Sequence, residues 1–167
     1  SGLTAWQGLV VHGRLQAGQR VIAHGAAGAV GSMVTQLARE FGGYVIGTGR
    51  AADRQRALDF GANEFVDLDK EALEDVGQVD LVFDLIGGDI GKRSARLVRA
   101  GGTLVSIVGP PEARPADGLA IDFVVEPDRL QLGEIVQRVR DGRLRTHIGT
   151  VSPLDDAVAA FNPTERR

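Results

Sequence analysis

The stretch Arg20-Val21-Ile22-Ala23-His24-Gly25-Ala26-Ala27-Gly28-Ala29-Val30-Gly31 decides how this chain folds. Residues Arg20 to His24 form a short, mostly apolar run of the kind that makes a buried strand. From Gly28 to Phe41 the apolar residues Val30, Met33, Val34, Leu37 and Phe41 recur at helical spacing until Gly42-Gly43 stops them. The sequence therefore reads as strand, glycine turn, helix. A turn in that position has a definite chemistry. The first amides of a helix lack intrahelical acceptors and sit at the positive end of its dipole, so a pyrophosphate can rest there if no bulky side chain intervenes. Gly28 and Ala29 meet that need, Ala26 and Val30 beside them are counted with the cofactor-binding candidates, and Gly31 lets helix and strand approach closely. The bland alternative is a tight turn that binds nothing.

Working outward, the pattern repeats. Tyr44 to Thr48 reads as a second strand, Ala52 to Phe60 as a helix, Glu64 to Asp67 as a third strand and Val79 to Leu85 as a fourth. A helix at Ile90 to Arg99, a strand at Thr103 to Val108, a proline-rich loop at Pro110 to Gly118 and a strand at Leu119 to Val125 follow. Asp128 to Arg140 reads as a helix with Leu132, Ile135, Val136 and Val139 inward. A helix over residues 3–11 precedes the first strand. Apolar strands separated by helices imply a parallel sheet covered on both faces, so the expected fold is doubly wound α/β, a Rossmann fold of six strands. Residues 1–145 form that domain. In residues 146–167, Thr146 to Val151 reads as extended and Pro153 to Phe161 as helical before the chain runs out from Asn162 to Arg167. This tail is expected to belong with a neighbouring domain.

The end of the second strand bears on which dinucleotide fits. An acid there would bind the ribose 2′-hydroxyl of NAD, but the residues are Thr48-Gly49-Arg50. Gly49 leaves room, and Arg50 and Arg54 offer paired donors to a 2′-phosphate, which favours NADP(H). Arg50 is the stronger candidate. Asp53 competes as a ribose acid, although its place at a helix start is equally explained by capping. Asp84 reads as a turn carboxylate before Ile86-Gly87-Gly88, His24 as a packed strand-end residue and Trp6 as a core or interface anchor.

Composition excludes several classes. The 167 residues suit one domain; they carry 43% hydrophobic residues and a net charge of -3, with no apolar run of membrane-spanning length and no basic stripe for nucleic acid. There is no cysteine, so disulfides and thiolate chemistry drop out, and a cytoplasmic setting is expected. His12, His24 and His147 lie far apart, and no metal site is expected. The 23 glycines punctuate apolar segments and form no low-complexity tract. Ser1-Gly2 opens the chain without a polar lead-in, and a longer natural chain is expected.

With these residues in hand the chain resembles the coenzyme domain of the medium-chain dehydrogenase/reductase superfamily, in its zinc-independent, quinone-oxidoreductase-like branch. The resemblance spans nearly the whole sequence. It rests on Leu3-Thr4-Ala5-Trp6-Gln7-Gly8-Leu9, His24 to Gly31, Leu58-Asp59-Phe60-Gly61-Ala62 and Gly101-Gly102-Thr103-Leu104-Val105. The alanine-bearing turn matches the zinc-independent branch; zinc-dependent relatives carry a more glycine-based one. The resemblance implies Thr4 near the nicotinamide, Ala29 and Val30 at the pyrophosphate, and Thr48, Gly49 and Arg50 at the adenosine. It further implies Leu85 to Gly87 beside the ribose, and Ile107, Val108 and Gly109 along the nicotinamide. Leu68 stands where many relatives carry a tyrosine that helps hold the cofactor.

The activity so implied is NADPH-dependent hydride transfer to a quinone, enone or similar substrate, with a substrate-binding domain ahead of Ser1 and a closing strand after Arg167. No catalytic residue is assigned within the chain. A homodimer through the edge strand 119–125 is also implied. Two other classes stay open: a nucleotide-binding or redox-sensing module without chemistry, and a methyltransferase, against which Arg50 argues because a ribose-binding acid would be wanted there.

Overall fold

The computed structural model describes residues 1–161. Helix α1 (Gly2–Trp6) passes into a π-helical turn (Gln7–His12), followed by β1 (Arg20–Ala23), α2 (Gly31–Glu40), β2 (Tyr44–Gly49), α3 (Arg54–Asp59), β3 (Glu64–Asp67) and β4 (Val79–Asp84). Then come α4 (Gly88–Ala95), β5 (Val98–Ser106), β6 (Leu119–Asp122), α5 (Arg129–Arg140) and α6 (Ala157–Ala160). The strands form one parallel sheet in the order β3-β2-β1-β4-β5-β6. The order reverses between β1 and β4, and in open α/β sheets the binding crevice opens at that switch, beyond the carboxyl ends of the strands. The expected doubly wound fold is the observed one.

Strand alternation divides the core. Val21, Ala23, Val45, Leu81, Phe83 and Val105 pack with Leu9 of the π-helical turn and Met33, Val34 and Leu37 of α2 on one face. Ile22, Ile46, Val66, Val82 and Leu104 pack with Leu73, Ala95 and Leu97 on the other. Helix α2 is buried from Gly31 through Ala38, because it lies over the middle of the sheet beneath α1. Trp6 anchors α1, set edge-on to Phe41 at 5.6 Å with the Arg138 guanidinium 4.8 Å from its ring. That cation is paired to Glu40 at 2.9 Å and Glu134 at 2.8 Å, which lets it lie almost fully buried.

Several expectations need correction. The helix drawn to Arg99 ends at Ala95, and β5 begins at Val98. A register shift between the pairs Val79↔Val98 and Leu81↔Thr103 lets the glycine-containing stretch bulge out of the ladder, and a local reading cannot see that pairing. On α5 only Ile135 of the expected stripe is buried; Leu132, Val136 and Val139 are 40–47% exposed, and Arg138 takes the inward place beside Ile135. Strand β6 stops at Asp122, so residues 123–125 are loop. Thr146 to Val151 joins no strand, and only Leu154–Asp156 and α6 of the next segment are helical turns. The expectation for Asn162 to Arg167 lies outside the described residues.

Candidate functional site

The site is built where β1 meets α2. Gly25 turns the chain with φ +57°, the Gly28 amide donates to the Gly25 carbonyl at 2.8 Å, and the Ala26 amide reaches across to the Thr48 carbonyl at 3.0 Å. Gly31 then passes so close that a Cβ there would collide with the Gly25 carbonyl oxygen and stand 3.0 Å from the Ala26 Cα. Glycine is obligatory at this crossing. The turn leaves Gly28 and Ala29 exposed at the start of α2, with Val30 half-buried. Gly28 and Ala29 stand just ahead of this ten-residue helix and line a recess of about 400 Å³ together with Ser32, Arg56 and His147.

A second recess of about 480 Å³ lies across the sheet's upper edge, between the end of β2 and the start of α4. Gly49, Arg50 and Asp53 line one side, Leu68 and Asp69 another, and Ile86 and Ile90 the far wall. Arg50 is exposed here. A smaller recess of about 60 Å³ is bounded by Asp84, Gly87, Val108 and Gly109. Gly87 has φ +72° and a side chain there would press on Val108, so its turn also demands glycine.

Beneath these recesses runs a buried polar layer. Ile22 pairs with Ile46 and Val82, and Val82 with Leu104, forming an apolar row across four strands. Two residues further along, on the same face, stand His24, Thr48, Asp84 and Ser106, at most 2% exposed. Each is satisfied. Asp84 accepts the Ile86 amide at 3.0 Å and the Gly87 amide at 2.8 Å, so it shapes the turn that lines the cleft, as expected of a turn carboxylate. Ser106 donates to the Gly109 carbonyl at 2.9 Å and accepts weakly from the Val108 amide. His24 contacts the Thr48 hydroxyl at 2.7 Å through Nδ1 and the Ser94 hydroxyl at 2.7 Å through Nε2. Burial pushes its imidazole down to about 4, with the charge of Asp84 opposing in part, so the ring is neutral at pH 7.

The structure thus brings Ala26, Gly28, Ala29, Val30, Gly31, Thr48, Gly49, Arg50, Gly87, Val108 and Gly109 to one edge of the sheet. Leu85 and Ile107 are half-buried against the core beside that edge. Thr4 is half-buried on α1 and lines none of the three recesses. Arg54 lines none of the three recesses: its guanidinium donates to the Phe65 carbonyl at 2.9 Å and to Glu71 at 2.7 Å and stacks over the Phe65 ring. The Asp67 amide, then Arg54, hold the Glu71 carboxyl below its usual range. Arg56 and His147 were not singled out from the sequence as ligand-binding; nothing in their local spacing marks them, because they converge on the turn only through α3 and the tail.

Comparison with known proteins matches residues 60–167 to the family model described as zinc-binding dehydrogenase. The chain belongs to this family. It is a coenzyme-binding domain of the medium-chain dehydrogenase/reductase superfamily. A probable mitochondrial zinc-binding oxidoreductase of Arthroderma benhamiae is 32% identical over all of this chain and 57% of its own length. The quinone oxidoreductase of Coxiella burnetii superposes with a TM-score of 0.88 at 28% identity, covering 98% of this chain and 54% of that one. CurA of Vibrio vulnificus, solved in complex with NADPH, gives 0.78 at 25% identity over 96% of this chain and 57% of its own. The chain spans about half the length of these relatives. Despite the family's description, no group of three or more His, Cys, Asp or Glu among the described residues is placed to hold a metal ion, so these residues do not fit a zinc centre. No described helix is long and apolar enough to cross a membrane.

Proposed function

We propose that this zinc-binding dehydrogenase domain binds NADP(H) and forms the coenzyme half of a reductase acting on a quinone, enone or similar conjugated carbonyl. The observation that carries the reading is the glycine turn opening α2 at the sheet's switch point, flanked by a recess that holds the exposed Arg50. The amides at Ala29 and Val30 would take the pyrophosphate, against the exposed backbone of Gly28. Arg50 would take the 2′-phosphate as a bidentate donor, with Ile86 and Ile90 as an apolar wall for the adenosine. The bound nicotinamide would supply the hydride. Likeness to a quinone oxidoreductase and to an NADPH-bound protein supports this choice of substrate and coenzyme.

The substrate pocket would need a second domain, and the exposed tail side chains Ile148, Val151, Leu154 and Val158 provide an apolar surface for it. The unpaired outer edge of β6, with Leu119 59% exposed, suits pairing with a second copy across a two-fold axis. Light scattering on the intact chain tests the dimer, with a two-chain mass expected and a one-chain mass contradicting it.

Parallel titration with NADPH and NADH, followed by nicotinamide fluorescence, tests the coenzyme reading. Tighter NADPH binding is expected. Tighter NADH binding would move the role to Asp53, which faces the same recess, and would overturn the assignment of Arg50.

A further inference from the structure

The recess beside Arg50 has two walls that belong to different parts of the chain. One is the end of β2, with Gly49 and Arg50; the other is the first turns of α4 and the loop before it, with Ile86 and Ile90. No strand pairing joins them, because β1 lies between β2 and β4 and α4 stands over the sheet. What crosses the gap is His24. Its Nδ1 meets the Thr48 hydroxyl, adjacent to Gly49, and its Nε2 meets the Ser94 hydroxyl, one turn along α4 from Ile90.

The chain of bonds has one consistent direction. Ser94 donates its hydroxyl proton to the Ile90 carbonyl at 2.7 Å, so toward His24 it can only accept. Nε2 must therefore carry the ring's proton, and Nδ1 must accept from Thr48. A neutral imidazole in a single tautomer links Thr48, His24, Ser94 and the Ile90 carbonyl, and both ends of that link lie directly behind residues that line the recess. His24, Thr48 and Ser94 are all fully buried, so no water competes for these bonds.

We infer that His24 is a positioning residue that sets the width of the adenosine recess by tying the end of β2 to α4. It touches no ligand itself. This inference rests on the coenzyme reading above, in which that recess holds the adenosine.

The test is a double-mutant cycle on the intact chain, with Thr48→Val cutting one arm, Ser94→Ala cutting the other, and both together. Dissociation constants for NADPH, for 2′,5′-ADP and for reduced nicotinamide mononucleotide are measured well below each variant's melting temperature, and melting is recorded in parallel. Each single variant is expected to weaken NADPH and 2′,5′-ADP by the same factor, about tenfold for one lost buried hydrogen bond. Mononucleotide binding is expected to stay unchanged, and the double variant to lose little more than either single, since both arms act through one ring.

Lower melting temperatures with unchanged dissociation constants would overturn the inference and make His24 a purely structural link, as would fully additive losses. If Thr48→Val does not fold, the Ser94→Ala comparison between 2′,5′-ADP and the mononucleotide decides alone. A wild-type chain that binds neither NADPH nor 2′,5′-ADP would instead bring down the coenzyme reading, and the inference with it.

Discussion

At the scale of single residues, the site depends on a crossing and a buried ring. A Cβ at Gly31 has no space against the Gly25 carbonyl, so Gly31→Ala must push the turn off α2. Overpacking of this kind costs about 1–3 kcal/mol. Urea unfolding should show that loss, and NADPH affinity should fall with it; an unperturbed midpoint would contradict the close approach. His24 gives a pH dependence of definite sign. Its ordinary value of 6.5 drops to about 4 on folding, so below pH 6.5 the unfolded chain takes up a proton that the folded chain refuses. The group's stabilisation is complete above pH 6.5 and declines as pH falls toward 4, by about 3 kcal/mol over the full interval. His24→Asn should be less stable at pH 7 and show a flatter loss between pH 7 and 5; equal slopes for the two proteins would contradict the assignment.

At the scale of elements, the two candidate arginines part company. Arg54 is bound into the β3 side of the sheet by the Phe65 carbonyl and Glu71, whereas Arg50 extends from the end of β2 into the recess. Arg54→Ala should lower the melting temperature modestly and leave the ratio of NADPH to NADH affinity unchanged; a changed ratio would return Arg54 to the site. From sequence Arg50 ranked above Arg54, but both follow β2 and each could reach a phosphate. Only the folded position of β3 separates them. Elsewhere local pattern carried far: β3 was legible to its exact residues, and the glycine turn was placed correctly because its neighbours on both sides have strong periodicity. Helix α5 misled because its inward position at Arg138 is charged, and its burial depends on Trp6, Phe41 and two carboxylates distant in sequence. The row His24, Thr48, Asp84 and Ser106 was invisible for a related reason. Each looks like an ordinary strand-end residue, and their alignment appears only once strand register is known.

At the scale of the whole molecule, strand order does what no single motif can: it sets the turn, the Arg50 recess and the Gly87 loop along one edge, each held from below by a satisfied polar layer. Binding is therefore expected to stabilise the domain as a unit, and saturating NADPH should raise its melting temperature, by mass action. The central claim is that this edge binds NADP(H) with Arg50 reading the 2′-phosphate, and titration of the wild-type chain and Arg50→Ala with NADPH and NADH tests it most directly. The expected result is tighter NADPH binding by the wild type, with Arg50→Ala losing about 10- to 100-fold for NADPH while its NADH affinity holds, as befits one lost charge-assisted contact. Equal affinity of the wild type for both coenzymes, or an Arg50→Ala preference unchanged from the wild type, would contradict it.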